Sequence, residues 1–390
     1  MRALTLRFVA LAPIIAGSLV GGCGADPADV EVQAQESSLT ANQRLAACNQ
    51  DPRVVAGLVT AQICAGADIF FRETFNGNGR TCGTCHPANN NFMIEETFAQ
   101  NLHNTNPADP LFVFEREPKL AQLEDINIML GLGSILENVD GPPDPTHKFV
   151  FRGVPHTLSL ATTIARDTDD GTTNPPVQRT GWSGDGAPGD GSLRQFLNGA
   201  ITQHYTKDLL RRPGTDFRLA TDQELDLTLA FQLALGRLND LNLSQVRMFD
   251  ADAEFGRQVF LDPVHGRCNI CHANAGANSL DTGKNRNFDT GTRQVPVVGG
   301  GTFLGKQMFD GGFGGQGLPA YNIQAFNNGE GLNGFGNGTF NTPPIIEAVD
   351  TGPFFHTNGF GHSIESLFPR NGLPLTSALR AVGPRSSSPL

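Results

Sequence analysis

The stretches Cys82-Gly83-Thr84-Cys85-His86 and Cys268-Asn269-Ile270-Cys271-His272 each set two thiols three positions apart, with an imidazole directly after the second. Two thiols on one helical turn can add across the two vinyl groups of a haem, and the adjacent histidine can then reach the iron; this is c-type haem attachment. With seven cysteines and nine histidines in 390 residues, far fewer than one such pentapeptide is expected by chance. A thioredoxin-like pair needs no histidine and a strand-to-helix setting, and a structural zinc site would have to recruit both pairs across a long intervening segment. The motifs therefore read as two covalently bound haem c groups. Cys82, Cys85, Cys268 and Cys271 are the attachment points, and His86 and His272 the proximal iron ligands.

Haem c ligation suits an oxidising compartment, and the first residues point there. Arg2 and Arg7 precede an apolar run from Phe8 to Val20 and small residues before Cys23, a signal peptide too short to be a membrane span. Val20-Gly21-Gly22-Cys23 is similar to a bacterial lipobox, in which the cysteine is lipidated; ordinary cleavage near Ala25 is the competing reading. The expected location is the periplasmic side of a bacterial membrane, lipid-anchored through Cys23 or soluble. Cys48 and Cys64 remain, sixteen positions apart. They are expected to form a disulfide contributing about 3 kcal/mol, the alternative being two buried free thiols.

Composition narrows the partners. A formal net charge of −11 disfavours nucleic acid and suits a basic redox protein. Glycine (46) and proline (25) together imply much loop, and 27 phenylalanines against two tyrosines suit packing around flat apolar groups such as haem.

The elements that must position the motifs are legible in part. Phe70-x-Arg72-x-x-Phe75 before the first motif and Phe255-x-Arg257-x-x-Phe260 before the second resemble an internal duplication on helical stretches. Thr221 and Glu224 form a capping box ahead of an apolar-periodic run, which predicts a helix from Asp222 to Leu238 bridging the two units. The long Gly-rich loop from Gly299 to Phe340 carries Phe303, Phe309, Phe313, Phe326 and Phe335 as anchors for a haem cover. The resulting division is a signal peptide (1–22), a flexible linker (23–48), an N-terminal haem domain (49–215), a bridging helix (216–245), a C-terminal haem domain (246–376) and a loose tail (377–390).

The two motifs at this separation, the segment Gly181-Trp182-Ser183-Gly184-Asp185-Gly186 between them, and Phe340, Thr342, Pro343, Thr351, Pro353, Phe355 and His356 near the end resemble the bacterial dihaem cytochrome c peroxidase and MauG family. The likeness covers roughly residues 55 to 372. It implies a mostly α fold of two cytochrome c-like haem domains with long Gly-rich loops. It also implies that a small donor, a cytochrome c or a cupredoxin, feeds electrons to the C-terminal haem and that hydrogen peroxide is reduced at the N-terminal haem. Trp182 stands where the family has its inter-haem tryptophan, a core tryptophan being the competing reading. The family commonly forms homodimers.

Departures from the family pattern bear on the catalytic residues. Peroxide cleavage needs a proton acceptor, and Gly199-Ala200-Ile201-Thr202-Gln203-His204 has no glutamate there. His204 and Asp208 are the substitutes, with His204 the better matched in pKa and a plain helix-surface histidine the alternative. As sixth ligand of the N-terminal haem the resemblance implies His147, near Arg152 and Pro155, with His156 as rival and an ordinary loop histidine as the third reading. Gly153 replaces an asparagine that helps hold calcium between the domains, so that Thr351 and Pro353 would give a calcium ion only backbone oxygens. At the C-terminal haem no methionine follows Ser363-Ile364-Glu365. Met308 and His362 compete as its sixth ligand, and a histidine there would lower the potential.

The leading expectation is thus an exported peroxidase-like dihaem oxidoreductase. The alternatives are an electron-transfer cytochrome without substrate chemistry and a MauG-like or oxygenase-like enzyme acting on a protein or organic substrate.

Overall fold

A computed structural model describes residues 39–137, 150–168, 176–186, 190–292, 302–303, 306–307, 310–313, 338–345 and 347–359. In chain order the first unit holds α1 (Ala41–Cys48), α2 (Pro52–Val55), α3 (Ala61–Arg72) and α4 (Cys82–Cys85). It continues with α5 (Glu96–Thr105), α6 (Ile126–Leu132), β1 (Ser134–Glu137), β2 (Val150–Gly153), α7 (Leu160–Thr163), α8 (Leu193–His204) and α9 (Asp222–Leu233). The second holds α10 (Ala251–Leu261), α11 (Cys268–Cys271) and the short strands β3 (Asn287–Phe288), β4 (Thr302–Phe303), β5 (Lys306–Gln307) and β6 (Phe340–Asn341). Strands pair only two by two, antiparallel: β1 with β2, β3 with β6, β4 with β5. No helix among the described residues is long and apolar enough to cross a membrane.

The centre of the first unit is the crossing of α3 and α9. Thr60 caps α3, its hydroxyl accepting from the Ile63 amide, and the helix buries Ala65, Gly66, Ile69 and Phe70 as one face. At Gly66 the helices touch backbone to side: an added Cβ would lie 2.0 Å from the Leu227 carbonyl oxygen, so only glycine allows this approach. The Phe70 and Phe231 rings meet across the crossing at 5.1 Å. The Cys48–Cys64 disulfide ties α1 to α3. Beneath it, Arg44 is buried against Glu73 at 2.6 Å and against Asp68.

Helix α9 starts as the capping box predicts, with Thr221 and Glu224 bonded reciprocally. It ends at Leu233 rather than Leu238. The reason is tertiary: Gly236 turns left-handed (φ 69°), and the Leu235 carbonyl accepts from the Ser159 amide at 2.9 Å instead of continuing the helical ladder. The helix packs on α3 and α8 and forms a wall of the first unit's core.

Candidate functional site

Helix α4 lies in the seam between two apolar clusters. Cys82 packs against the cluster of Ile69, Phe75, Ile201, Tyr205 and Leu227, and Cys85 against that of Ile94, Leu111, Phe112 and Phe151. Thr81 and Thr84 form a capping box that fixes the turn, and Gly83 leaves room for the Phe71 ring, which an added Cβ would meet at 2.4 Å. Neither thiol is in a disulfide. Burial pushes Cys82 up to about 12 and Cys85 up to about 11, although the Tyr205 hydroxyl donates to the Cys82 sulfur at 3.1 Å. These are protonated thiols in an apolar slot, the opposite of the lowered pKa of a reactive redox cysteine.

His86 follows with backbone angles of φ −118° and ψ 64°. Its Nδ1 lies 2.8 Å from the Phe92 carbonyl oxygen, which leaves Nε2 to a ligand. Burial lowers its pKa to about 4, so the ring is neutral, as an iron ligand must be.

The second motif repeats this geometry. Helix α11 spans the same four positions, and His272 has φ −118° and ψ 59°. Its Nδ1 faces two carbonyl oxygens, Pro343 at 3.0 Å and Gly276 at 3.3 Å. A short 3₁₀ turn follows each histidine, Ala88–Asn90 in one unit and Ala273–Ala275 in the other. Cys268 and Cys271 are likewise unpaired. The donor set at both places fits a covalently attached haem: two thiols outside any disulfide on one turn and a neutral imidazole turned by its Nδ1.

The other expected residues distribute unevenly. His204 ends α8, half-buried, and its pKa falls to about 3 through burial and the nearby charges of Arg80 and Arg211, with His86 also within electrostatic reach. Arg80 is itself held in the first unit by Glu124 at 2.5 Å and by the carbonyls of Pro110, Leu111 and His204. Asp208, the other substitute base, is committed to Lys119 at 2.8 Å and Arg212 at 3.3 Å and stays ionised, its carboxyl lowered chiefly by the Lys119 bond. His156 also lies within electrostatic reach of His86. Its Nδ1 accepts from the Leu158 amide at 3.2 Å, and burial lowers it to about 4. His147, Met308, His362 and the lipobox Cys23 lie outside the described residues.

Trp182 joins the units. Its indole Nε1 donates to the Gly153 carbonyl on β2 at 2.7 Å, and its own carbonyl accepts from the Asn341 amide on β6 at 2.9 Å. Asn287 on β3 donates to the neighbouring Ser183 carbonyl at 2.6 Å. At Gly153 the Asn358 amide group takes the room of a side chain, and its nitrogen donates to the Ile94 and Gly133 carbonyls. Among the described residues no three His, Cys, Asp or Glu side chains gather as a metal site, and Thr351 turns its hydroxyl to the Glu347 carbonyl.

Sequence reasoning missed the buried cluster beside the tryptophan. Arg152 forms a two-pronged pair with fully buried Asp310 at 2.6 and 2.9 Å and reaches Glu137 at 3.4 Å. His356 stacks on Phe340 at 4.0 Å and is 1 % exposed, its Nε2 without a hydrogen-bond partner among the described residues. Burial lowers its pKa to about 4. Its place inside the C-terminal motif was the available signal.

No family model, no curated protein and no solved structure matches the chain.

Proposed function

We propose that this chain is an exported dihaem c-type cytochrome with peroxidase-like activity, taking electrons from a small donor at the C-terminal haem and reducing hydrogen peroxide at the N-terminal one. The observation that carries the reading is the duplicated site: two Cys-x-x-Cys-His turns in the same conformation, each with unpaired thiols and with Nδ1 fixed by a carbonyl. When bound, the haems would supply one-electron chemistry and cleavage of the peroxide bond.

The chain's own residues supply the rest. His86 and His272 offer Nε2 to the irons, and the carbonyls on their Nδ1 atoms hold the rings in orientation. Trp182, bonded to a strand of each unit, is the bridge between the sites. His204 is neutral above about pH 3 and near the first site, where an imidazole nitrogen can take a proton and return it. Export, a lipid anchor at Cys23 and a cytochrome c or cupredoxin donor belong to the same proposal.

A second reading rests on His156, which lies within electrostatic reach of His86. Its Nδ1 accepts from the Leu158 amide, so the neutral ring carries its proton on Nε2 and would have to change tautomer to become an iron ligand. A permanently ligated iron would make the protein an electron-transfer cytochrome. The test is hydrogen peroxide added to the half-reduced holoprotein. Rapid reoxidation with a high-spin N-terminal haem supports the peroxidase; two low-spin haems inert to peroxide select electron transfer.

A further inference from the structure

The segment that leaves α8 runs past both thiols of the first motif. The Tyr205 hydroxyl donates to the Cys82 sulfur at 3.1 Å, Leu209 belongs to the apolar cluster against which Cys85 packs, and Arg211 follows two residues later. Two arginines stand there side by side in different settings. Arg212 is half-exposed and paired, with Asp216 at 3.2 Å and with Asp208 at 3.3 Å. Arg211 is 3 % exposed, and its Nε and Nη1 are buried with no hydrogen-bond partner among the described residues. Its backbone is left-handed, with φ 51°, a conformation that side chains other than glycine rarely adopt. The carboxylate whose charge it feels, Glu124, is already gripped by Arg80 at 2.5 and 3.1 Å. Two guanidinium groups thus share one carboxylate, and a positive charge is left buried without a partner of its own, an arrangement that is costly until an anion meets it. Burial pushes Arg211 down to about 10. It also lies within electrostatic reach of His204, which in turn feels His86.

We propose that Arg211 is the counter-charge for a propionate of the haem attached through Cys82 and Cys85. The inference rests on the haem reading of the first motif and adds the residue that holds the group's polar edge. A haem c keeps two carboxylates that its thioether bonds leave free, and the planar N–H groups of a guanidinium match a carboxylate better than any other side chain does. Arg80, two positions before Cys82, is not available for this role, because its guanidinium is spent on Glu124 and on the carbonyls of Pro110, Leu111 and His204. A positive charge held against the propionate favours the reduced iron, so Arg211 is a positioning residue that also raises the potential of the first site.

The experiment compares the full-length holoprotein with its Arg211→Gln and Arg211→Lys variants by intact mass, by redox titration of each haem, and by resonance Raman spectra of the propionate bending bands. Arg211→Gln should keep both haems, displace a propionate band of the N-terminal haem and lower that haem's midpoint by a tenfold change in its one-electron equilibrium, about 59 mV, while the C-terminal haem stays as it was. Arg211→Lys keeps the charge without the planar fork, so its potential should return toward the parent value while the band stays displaced. A propionate band that moves in neither variant overturns the proposal even where the potential falls, since a charge acting at a distance does that much. Should Arg211→Gln fail to carry the first haem, the band in Arg211→Lys decides in the same way. A parent chain whose mass shows no haem at Cys82 and Cys85 overturns the haem reading itself, and the proposal with it, before any potential is read.

Discussion

The indole Nε1 of Trp182 donates to the Gly153 carbonyl at 2.7 Å, while the Trp182 carbonyl accepts from Asn341 of the other unit's sheet. One residue therefore fastens β2 to β6. In the proposed enzyme this fastening is also the electron route, and Trp182→Phe separates the two roles. The variant loses a bond of about 1 kcal/mol. It should remain folded, yet electron transfer between the sites, followed by stopped-flow spectra, should slow about tenfold or more, a barrier of at least ~1.4 kcal/mol. Unchanged transfer would reduce Trp182 to a structural residue.

His204 is predicted to act as a neutral base. With its pKa lowered to about 3, the ring stays unprotonated through the neutral range, so peroxide turnover should be flat from about pH 5 to pH 8 as far as this group is concerned. His204→Gln should lower turnover by roughly a hundredfold, within the usual range for losing a proton-transfer group. Steady-state rates across that range check both statements.

Gly66→Val should be among the most damaging single changes. The new Cβ would stand 2.0 Å from the Leu227 carbonyl oxygen, a backbone atom that cannot move without separating α3 from α9. Urea unfolding should show a loss of about 3 kcal/mol or more, in the class of core overpacking.

Removing the Cys48–Cys64 disulfide with a double serine substitution should cost about 3 kcal/mol, because the bridge closes a loop of sixteen positions and the unfolded chain regains that freedom. Thermal unfolding of the oxidised protein and the variant measures it.

Acid should destabilise the protein partly through His356. Its folded pKa of about 4 lies below the ordinary 6.5, so between those values the unfolded chain binds a proton that the folded chain does not. Stability is therefore highest above pH 6.5 and falls as pH drops toward 4, by up to about 1.4 kcal/mol per pH unit from this residue. His356→Phe should flatten that slope, measured by denaturant unfolding at a series of pH values.

Local patterns were legible in the sequence and long-range ones were not. Thr221 and Glu224 announced the start of α9 because a capping box is a contact over three positions, but its end depends on Ser159, far away in the chain. The disulfide could be read from the cysteines left over by the two motifs. The Arg152–Asp310 pair, the burial of His356 and the entry of Asn358 at Gly153 join residues that share no local pattern, so only the folded chain reveals them. The repeated phenylalanines were visible, yet their environments differ: Phe70 is buried and Phe255 is not.

The central claim is that both motifs carry covalent haem. It is tested most directly by the intact mass and haem content of the exported protein, compared with Cys82→Ser/Cys85→Ser and Cys268→Ser/Cys271→Ser variants. Two haems per chain, falling to one in each variant, is the predicted result. A chain that carries no covalent haem, or binds zinc through these cysteines instead, would contradict it.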